Sequence, residues 1–467
     1  MKTSETEVCV IGSGAGAGPV IHTLALAGCQ VTVLEKGPWF REEDFYKDDL
    51  ACCRRSVYTP DLRDEYHVVE QPDGQGGWTA DTTYALGWDW WNGNCVGGAS
   101  NFMSGFFHRL KPVDFRLRST FGPIAGANVV DWPIGYEDLE PWYTYCESVI
   151  GISGRVVDHP YLEPRSTPDY PFPPTREHPV AALIDRACER LGYRVFPLAR
   201  AILPHPHAGR GGCSYSGFCG SYGCATGAKG SARAALIGAA VATGRCEVRP
   251  HAHVFRLVSD RAGRVVEARY FDARGEVHGV RAELFVVACQ AVETVRLLLL
   301  SPGPRHPRGL GNNHGQLGRN LIFSAGGAGG GDLHYADFDD ETAQALRTRG
   351  PFVNRALQDW YEIRDPDLGH VKGGTVEFLF SHPSAIGRAI RAKWDEDGRL
   401  LWGEALKRRL YRYFTAARHL RFEVFCDWLP TDDCFVTLDP GHRDKWGLPV
   451  ARIRTGYHPH DLRIGRY

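Results

Sequence analysis

Glu7-Val8-Cys9-Val10-Ile11-Gly12-Ser13-Gly14-Ala15-Gly16-Ala17-Gly18 is the stretch on which the fold turns. Its first five residues are a short apolar run of strand type. A helical segment follows through Ala27, where Gly28 is placed as a stop. A second strand, Gln30-Val31-Thr32-Val33-Leu34, ends at Glu35 and Lys36. The pattern is a β-turn-α-β unit with G-x-G-x-x-A at its turn. Gly12 permits the tight bend, Gly14 lets the backbone approach a pyrophosphate, and Ala17 lets helix and strand pack closely. Ala15 and Gly16 lie at the helix N-terminus, where free N–H groups and the dipole favour negative charge. Glu35 is placed to accept hydrogen bonds from ribose hydroxyls. Nucleotide binding is therefore expected, with FAD and NAD unseparated by this unit.

The rest of the composition sets bounds. At 467 residues the chain is too long for one compact core, and two or three subdomains are expected. A formal net charge of -1 argues against nucleic acid as the main partner, since no global basic field would attract phosphates. No apolar run reaches the length of an integral membrane segment. Residues 1–7 are polar and lead straight into a strand, so no signal peptide is read. A cytoplasmic location is expected, with export alongside a partner subunit left open. The 14 cysteines are too sparse for a disulfide scaffold and read mostly as buried thiols.

Four further segments separate the cofactors. Asn94-Cys95-Val96-Gly97-Gly98-Ala99-Ser100-Asn101-Phe102-Met103-Ser104-Gly105 comes first, and residues 213–231 read CSYSGFCGSYGCATGAKGS. Phe285-Val286-Val287-Ala288-Cys289-Gln290-Ala291-Val292-Glu293-Thr294 follows. Then Gly309-Leu310-Gly311-Asn312 leads into Leu317-Gly318-Arg319-Asn320-Leu321. With the N-terminal turn, these resemble the glucose–methanol–choline (GMC) oxidoreductases over nearly the whole chain, and in particular bacterial dehydrogenases of sugars, sugar acids and polyols.

The resemblance implies an α/β chain in which a Rossmann-like FAD-binding domain is interleaved with a sheet-and-helix substrate domain. Residues 1–111 and 206–324 would form the FAD side, with the Cys-rich loop at 212–231. Residues 112–205 and 325–467 would form the substrate side, the latter incomplete. The implied flavin neighbours are Gly97, Gly98, Ala99 and Ser100, where the paired glycines let a loop run flat against a planar ring system. Val254 is expected near the adenine, and Cys289 and Gln290 at a second strand-to-helix turn facing the cofactor. Some relatives carry a flavin-linking histidine after this loop. Phe102 or Asn101 stands there, so the FAD is expected to be non-covalent. His108, further along, reads as a satisfied surface or packing histidine.

The implied reaction is oxidation of a CH–OH group of a sugar-like alcohol. A hydride would pass to flavin N5, and electrons would go on to an external acceptor. The family's base is a histidine paired with His or Asn in a C-terminal H-x-x-G-T-like motif, which these 467 residues do not contain. The pair is expected beyond Tyr467, so no catalytic residue is named, and His458 and His460 read as helix-entry residues. A catalytically inactive flavin-binding fragment, or one half of a split enzyme, is the alternative.

Cys213, Cys219 and Cys224 could hold an iron–sulfur cluster, as some relatives do at a similar loop. A loop of buried thiols, with one disulfide at most, is preferred. Trp88, Trp90 and Trp91 could stack on a sugar or pack as core. Residues 160–179 are proline-rich and read as a surface excursion. Residues 404–421 read as a basic amphipathic helix with Leu406, Leu410, Phe414, Ala417 and Leu420 on one face. Such a helix could dock a redox partner or a membrane surface, with a solvated face as the default. Strands at 434–438 and 448–453 are expected around a turn at Pro440-Gly441.

Overall fold

The computed structural model describes residues 2–45, 58, 61–87, 90, 92–380, 385–395 and 397–467. Residues 8–11 are buried throughout and lie between two parallel neighbours, Val31–Leu34 and Val277–Val287. Burial on both faces explains why this run is continuously apolar rather than alternating. The full sheet has six strands, in the order Cys246–Arg249, Val31–Leu34, Lys2–Ile11, Val277–Val287, Val265–Phe271 and His253–Ser259. The first four are parallel, and the last three form an antiparallel meander with turns at 260–263 and 272–275. Cys246–Arg249 is not part of that meander, because it crosses to the far edge of the sheet.

One boundary differs from the sequence reading. The first strand starts at Lys2, not Glu7, because residues 278–282 of its long neighbour pair with residues 2–6 and carry the ladder into solvent. The continuously apolar residues 285–288 are only half-buried, and Leu284 is 50% exposed. The meander strand Val265–Phe271 pairs no further than Arg281, so that edge is uncovered.

Helix Ala17–Leu26 buries Ala17, Ile21 and Ala25 on this sheet. A fully buried aliphatic side chain such as Ile21 contributes roughly 1.5–3 kcal/mol. The helix also packs closely on a segment starting at Ala232. A Cβ on Gly18 would stand 2.9 Å from the Cβ of Ala232. Ser231 caps that second segment, its Oγ accepting from the Ala234 N–H at 3.2 Å. Residues Ala232–Ile237 are wound as a π-helix before Gly238–Ala242 continues as α.

A second, antiparallel sheet joins Val195–Pro197, Arg355–Leu357, Gly374–Phe380 and Ala417–Asp427, with Ser324–Ala325 and Ala328–His334 along its last edge. Helix Val180–Leu191 covers one face through Val180, Ile184 and Cys188. The helix expected at 404–421 is Gly403–Thr415 only. From Ala417 the chain is a strand, because Arg421, Phe422 and Glu423 alternate across a ladder with Gly374–Phe380.

A third sheet pairs Phe435–Arg443, Pro449–Arg454, Val68–Pro72 and Trp78–Thr82, and packs on helix Ala291–Leu299 through Val292, Val436 and Ile453. Its hairpin turns at Asp444 to Gly447, not at Pro440-Gly441, which sit inside a strand where the register shifts. The proline-rich excursion at 160–179 is not wholly superficial. Phe172, Glu163 and His178 are all buried. Among the described residues, no helix is long and apolar enough to cross a membrane.

Candidate functional site

The glycine turn, the loop at 98–100 and the second strand-to-helix turn surround one cavity of about 340 Å³. Gly12, Gly14, Ala15, Gly16, Glu35, Lys36, Gly98, Ala99, Ser100, Val254, Cys289 and Gln290 all line it. Two expected residues do not. Ala17 is fully buried in the helix–sheet core. Gly97 sits behind the loop, its N–H donating to Ser13 Oγ at 3.1 Å.

Backbone geometry explains the glycines. Gly12 has φ +91, and a Cβ there would meet Ala288 O at 2.7 Å. That places the first turn directly against the second. A Cβ on Gly98 would stand 3.0 Å from Gly14 Cα, so the two loops touch backbone to backbone. Cβ atoms added to Gly14 or Gly16 would meet no protein atom within 4 Å. Their open side is the cavity, and the residues therefore fit a bulky phosphate-bearing group held at a helix N-terminus.

Glu35 is buried at 7% exposure. One carboxylate oxygen accepts from Ser13 Oγ at 2.6 Å and the other from Gly37 N–H at 3.0 Å. Burial pushes its pKa up, while Ser13, Gly37 and Lys36 pull the other way. Each oxygen keeps a further lone pair for a hydroxyl donor. Ser13 was not singled out in the sequence. It joins the acid to the covering loop, and nothing in G-x-G spacing identifies a hydroxyl at that x.

A second group of residues escaped the sequence reading because its members are far apart in the chain. Lys36 Nζ pairs with Glu65 at 2.8 Å and Glu293 at 3.6 Å. Arg296 pairs with Glu293 and, at 2.5 Å, with Asp444. Burial opposes the charge on Lys36, yet Glu293 and Glu65 hold its pKa above the ordinary value. Burial likewise acts to raise the Glu65 pKa, and Lys36 reverses this, bringing it down to about 2. His253 beside them is pushed down to about 4, by burial first and by Lys36 second.

Gln290 is the cap of helix Ala291–Leu299, accepting from Val292 and Glu293 N–H groups at 2.8 and 3.3 Å. The Cys289 thiol is raised by burial to about 12. Asn101 and Phe102 point away from the cavity. The Asn101 amide donates to Val96 and Gly98 carbonyls, and Phe102 stacks on Tyr58 at 5.2 Å. His108 pairs with Glu377 at 2.5 Å. Trp90 is 4% exposed and packs on Phe323, whereas Trp88 and Trp91 lie outside the described residues. His458 caps helix Pro459–Arg466, accepting from His460 N–H.

Cys213, Cys219 and Cys224 line a separate cavity of about 40 Å³ and pack against Phe172, Ile202 and Ala228. All three are free thiols. Burial raises Cys213 to about 11. Burial also acts to raise Cys224, but the charge and backbone N–H of Lys229 leave it lowered.

A family description, GMC oxidoreductase, matches residues 172–323. The chain is 30% identical to 2-methyl-1,2-propanediol dehydrogenase of Mycolicibacterium austroafricanum, over 100% of this chain and 80% of that protein. It is 34% identical to paromamine 6'-oxidase of Streptomyces fradiae, over 98% and 74%. Its fold is similar to that of Aspergillus oryzae formate oxidase, whose FAD modification was studied, with TM-score 0.57 and 15% identity over 100% and 80%. The chain belongs to the GMC oxidoreductase family.

Proposed function

We propose that this oxidoreductase binds FAD in the 340 Å³ cavity and oxidises a CH–OH group of a small alcohol or sugar-like compound. The observation that carries the reading is the contact of Gly98 with Gly14, which brings the start of a short 3-10 helix, Gly98–Phe102, and a phosphate-type turn into one cavity, where a flat loop was expected. The relatives, a diol dehydrogenase and a paromamine oxidase, support the reaction class.

When bound, FAD would supply the two-electron hydride acceptor for the alcohol carbon, the electrons passing on to an external acceptor. The chain's own residues hold and orient. N–H groups of residues 14–16 would hold the pyrophosphate, and Glu35, fixed by Ser13, would accept from the ribose. Val254 would lie against the adenine, and residues 98–100 would cover the ring system. Cys289 and Gln290 form the opposing turn. With Asn101 and Phe102 turned away, the cofactor is held without a covalent bond. Residues 1–111 and 206–324 serve the cofactor, and 112–205 and 325–467 the substrate. We read Cys213, Cys219 and Cys224 as packing thiols, since all three sit against apolar side chains.

The test is reconstitution with FAD followed by desalting. A retained two-band visible spectrum, with the chromophore released on acid precipitation, is the expected result. A folded chain that retains no flavin overturns the reading.

A further inference from the structure

A second cavity, of about 190 Å³, opens at Ser104. It is built from distant parts of the chain and contains Arg200, Arg349, Arg388 and Arg418. Among the described residues lining it there is no carboxylate. None of the four arginines has an ion-pair partner within 4.0 Å among the described residues.

Arg200 is only 4% exposed. Its guanidinium lies between the rings of Phe106 and Phe352, 4.4 Å from each centroid. It donates to the Ser104 carbonyl at 2.8 Å and to Asn354. Arg418 lies over Phe380 at 4.0 Å, and Arg388 donates to the Tyr413 hydroxyl at 3.3 Å. Burial lowers the Arg418 pKa, and the neighbouring charges of Arg349 and Arg388 lower it further, against an opposing pull from Tyr335. The carboxylates beside this region lie outside its lining. Glu377 pairs with His108 through one oxygen, and Asp332 with His419 at 2.7 Å. The other Glu377 oxygen is buried without a hydrogen-bond partner, and the Glu377 charge acts on Arg200 from behind the cavity wall.

Grouped guanidinium charges without counter-charge are costly in a partly buried wall. Their planar forks match a carboxylate or phosphate. The cavity is also close to the first one. Ser100 lines one and Ser104 the other, and four residues span at most about 14 Å.

We propose that this cavity holds the acidic group, carboxylate or phosphate, of the alcohol oxidised at the flavin site, with Arg200, Arg349, Arg388 and Arg418 as its cationic wall. The substrate is then a hydroxy acid or a phosphorylated polyol rather than a neutral one. This rests on the flavin reading of the first cavity.

Calorimetric titration tests it, with glycerate, glycerol 3-phosphate, inorganic phosphate and glycerol as probes, on the FAD-loaded chain and on the chain without FAD. Either acid is expected to bind at least about tenfold more tightly than glycerol, the difference a charge-assisted hydrogen bond supplies. Arg418→Met, and Arg349→Met at the exposed rim, are expected to remove that advantage while FAD retention is unchanged. Inorganic phosphate should compete with both acids. Equal affinity for glycerate and glycerol, or acid affinity unchanged in both variants, overturns the proposal. Phosphate binding with which neither acid competes would mean a free-anion site and also overturns it. Failure to retain FAD with acid binding intact would sink the flavin reading and, with it, the assignment of the bound acid as the oxidised substrate, while the anion-binding cavity itself would stand.

Discussion

The two cavities handle charge in opposite ways. Around the first, Lys36 is matched by Glu65 and Glu293, and Arg296 by Glu293 and Asp444. Around the second, four arginines stand without a carboxylate among the described residues lining it. A site whose ionised side chains neutralise each other recognises a ligand through backbone N–H groups and shape. A site that leaves like charges together requires the ligand to bring the counter-charge. The first therefore suits a cofactor that stays, and the second a substrate that comes and goes.

The sharpest way to break this comparison is at Gly12. A Gly12→Val change puts a side chain at φ +91 and into Ala288 O, and loss of retained FAD absorbance is expected. If FAD still stays bound, shape is not what the first cavity reads. Lys36→Met comes next, since it leaves Glu65 and Glu293, both largely buried, without their shared cation and with only Arg296 still beside Glu293. A loss of about 3 kcal/mol in denaturant unfolding is expected, and an unchanged midpoint would mean the pairing is idle.

The pH dependence sharpens the same point. His253 has its folded pKa pushed below 6.5 to about 4, so between those values the unfolded chain binds the extra proton. Stability is then full above pH 6.5 and falls as the pH drops towards 4, by on the order of 2 kcal/mol. In His253→Gln that part of the acid loss should vanish, as read by thermal unfolding across the window. The smallest effect is Ser13→Ala, which removes a donor from Glu35 and an acceptor from Gly97 N–H. It should cost about 1 kcal/mol and weaken FAD roughly fivefold to tenfold, by fluorescence titration.

Legibility in the sequence followed distance along the chain. Gly12 and Glu35 lie in one β-turn-α-β unit, so spacing alone displayed the turn, the helix and the acid. The loop at 98–100 was readable only through family resemblance, because two glycines do not say which ring they face. The partners of Lys36 were invisible, since Glu65 and Glu293 reach it only through the fold. So were the four arginines, which meet from positions as far apart as 200 and 418. The helix at 404–421 was overextended for a different reason. Leu406, Leu410, Phe414 and Ala417 keep a helical spacing past the point where Ala417–Asp427 gains a strand partner on each side. Pairing in three dimensions overruled a local period.

The central strand pair has a consequence for synthesis. Lys2–Ile11 finds its inner neighbour at Val277–Val287, so it leaves the ribosome long before that partner exists. At ~5–20 residues per second the wait is roughly 15–60 s, with an apolar strand edge exposed to every other nascent chain. Such a long-range parallel pairing also closes slowly once both halves are present. Yield of soluble protein should accordingly respond to translation speed, growth temperature and chaperone supply more than to any change at the surface.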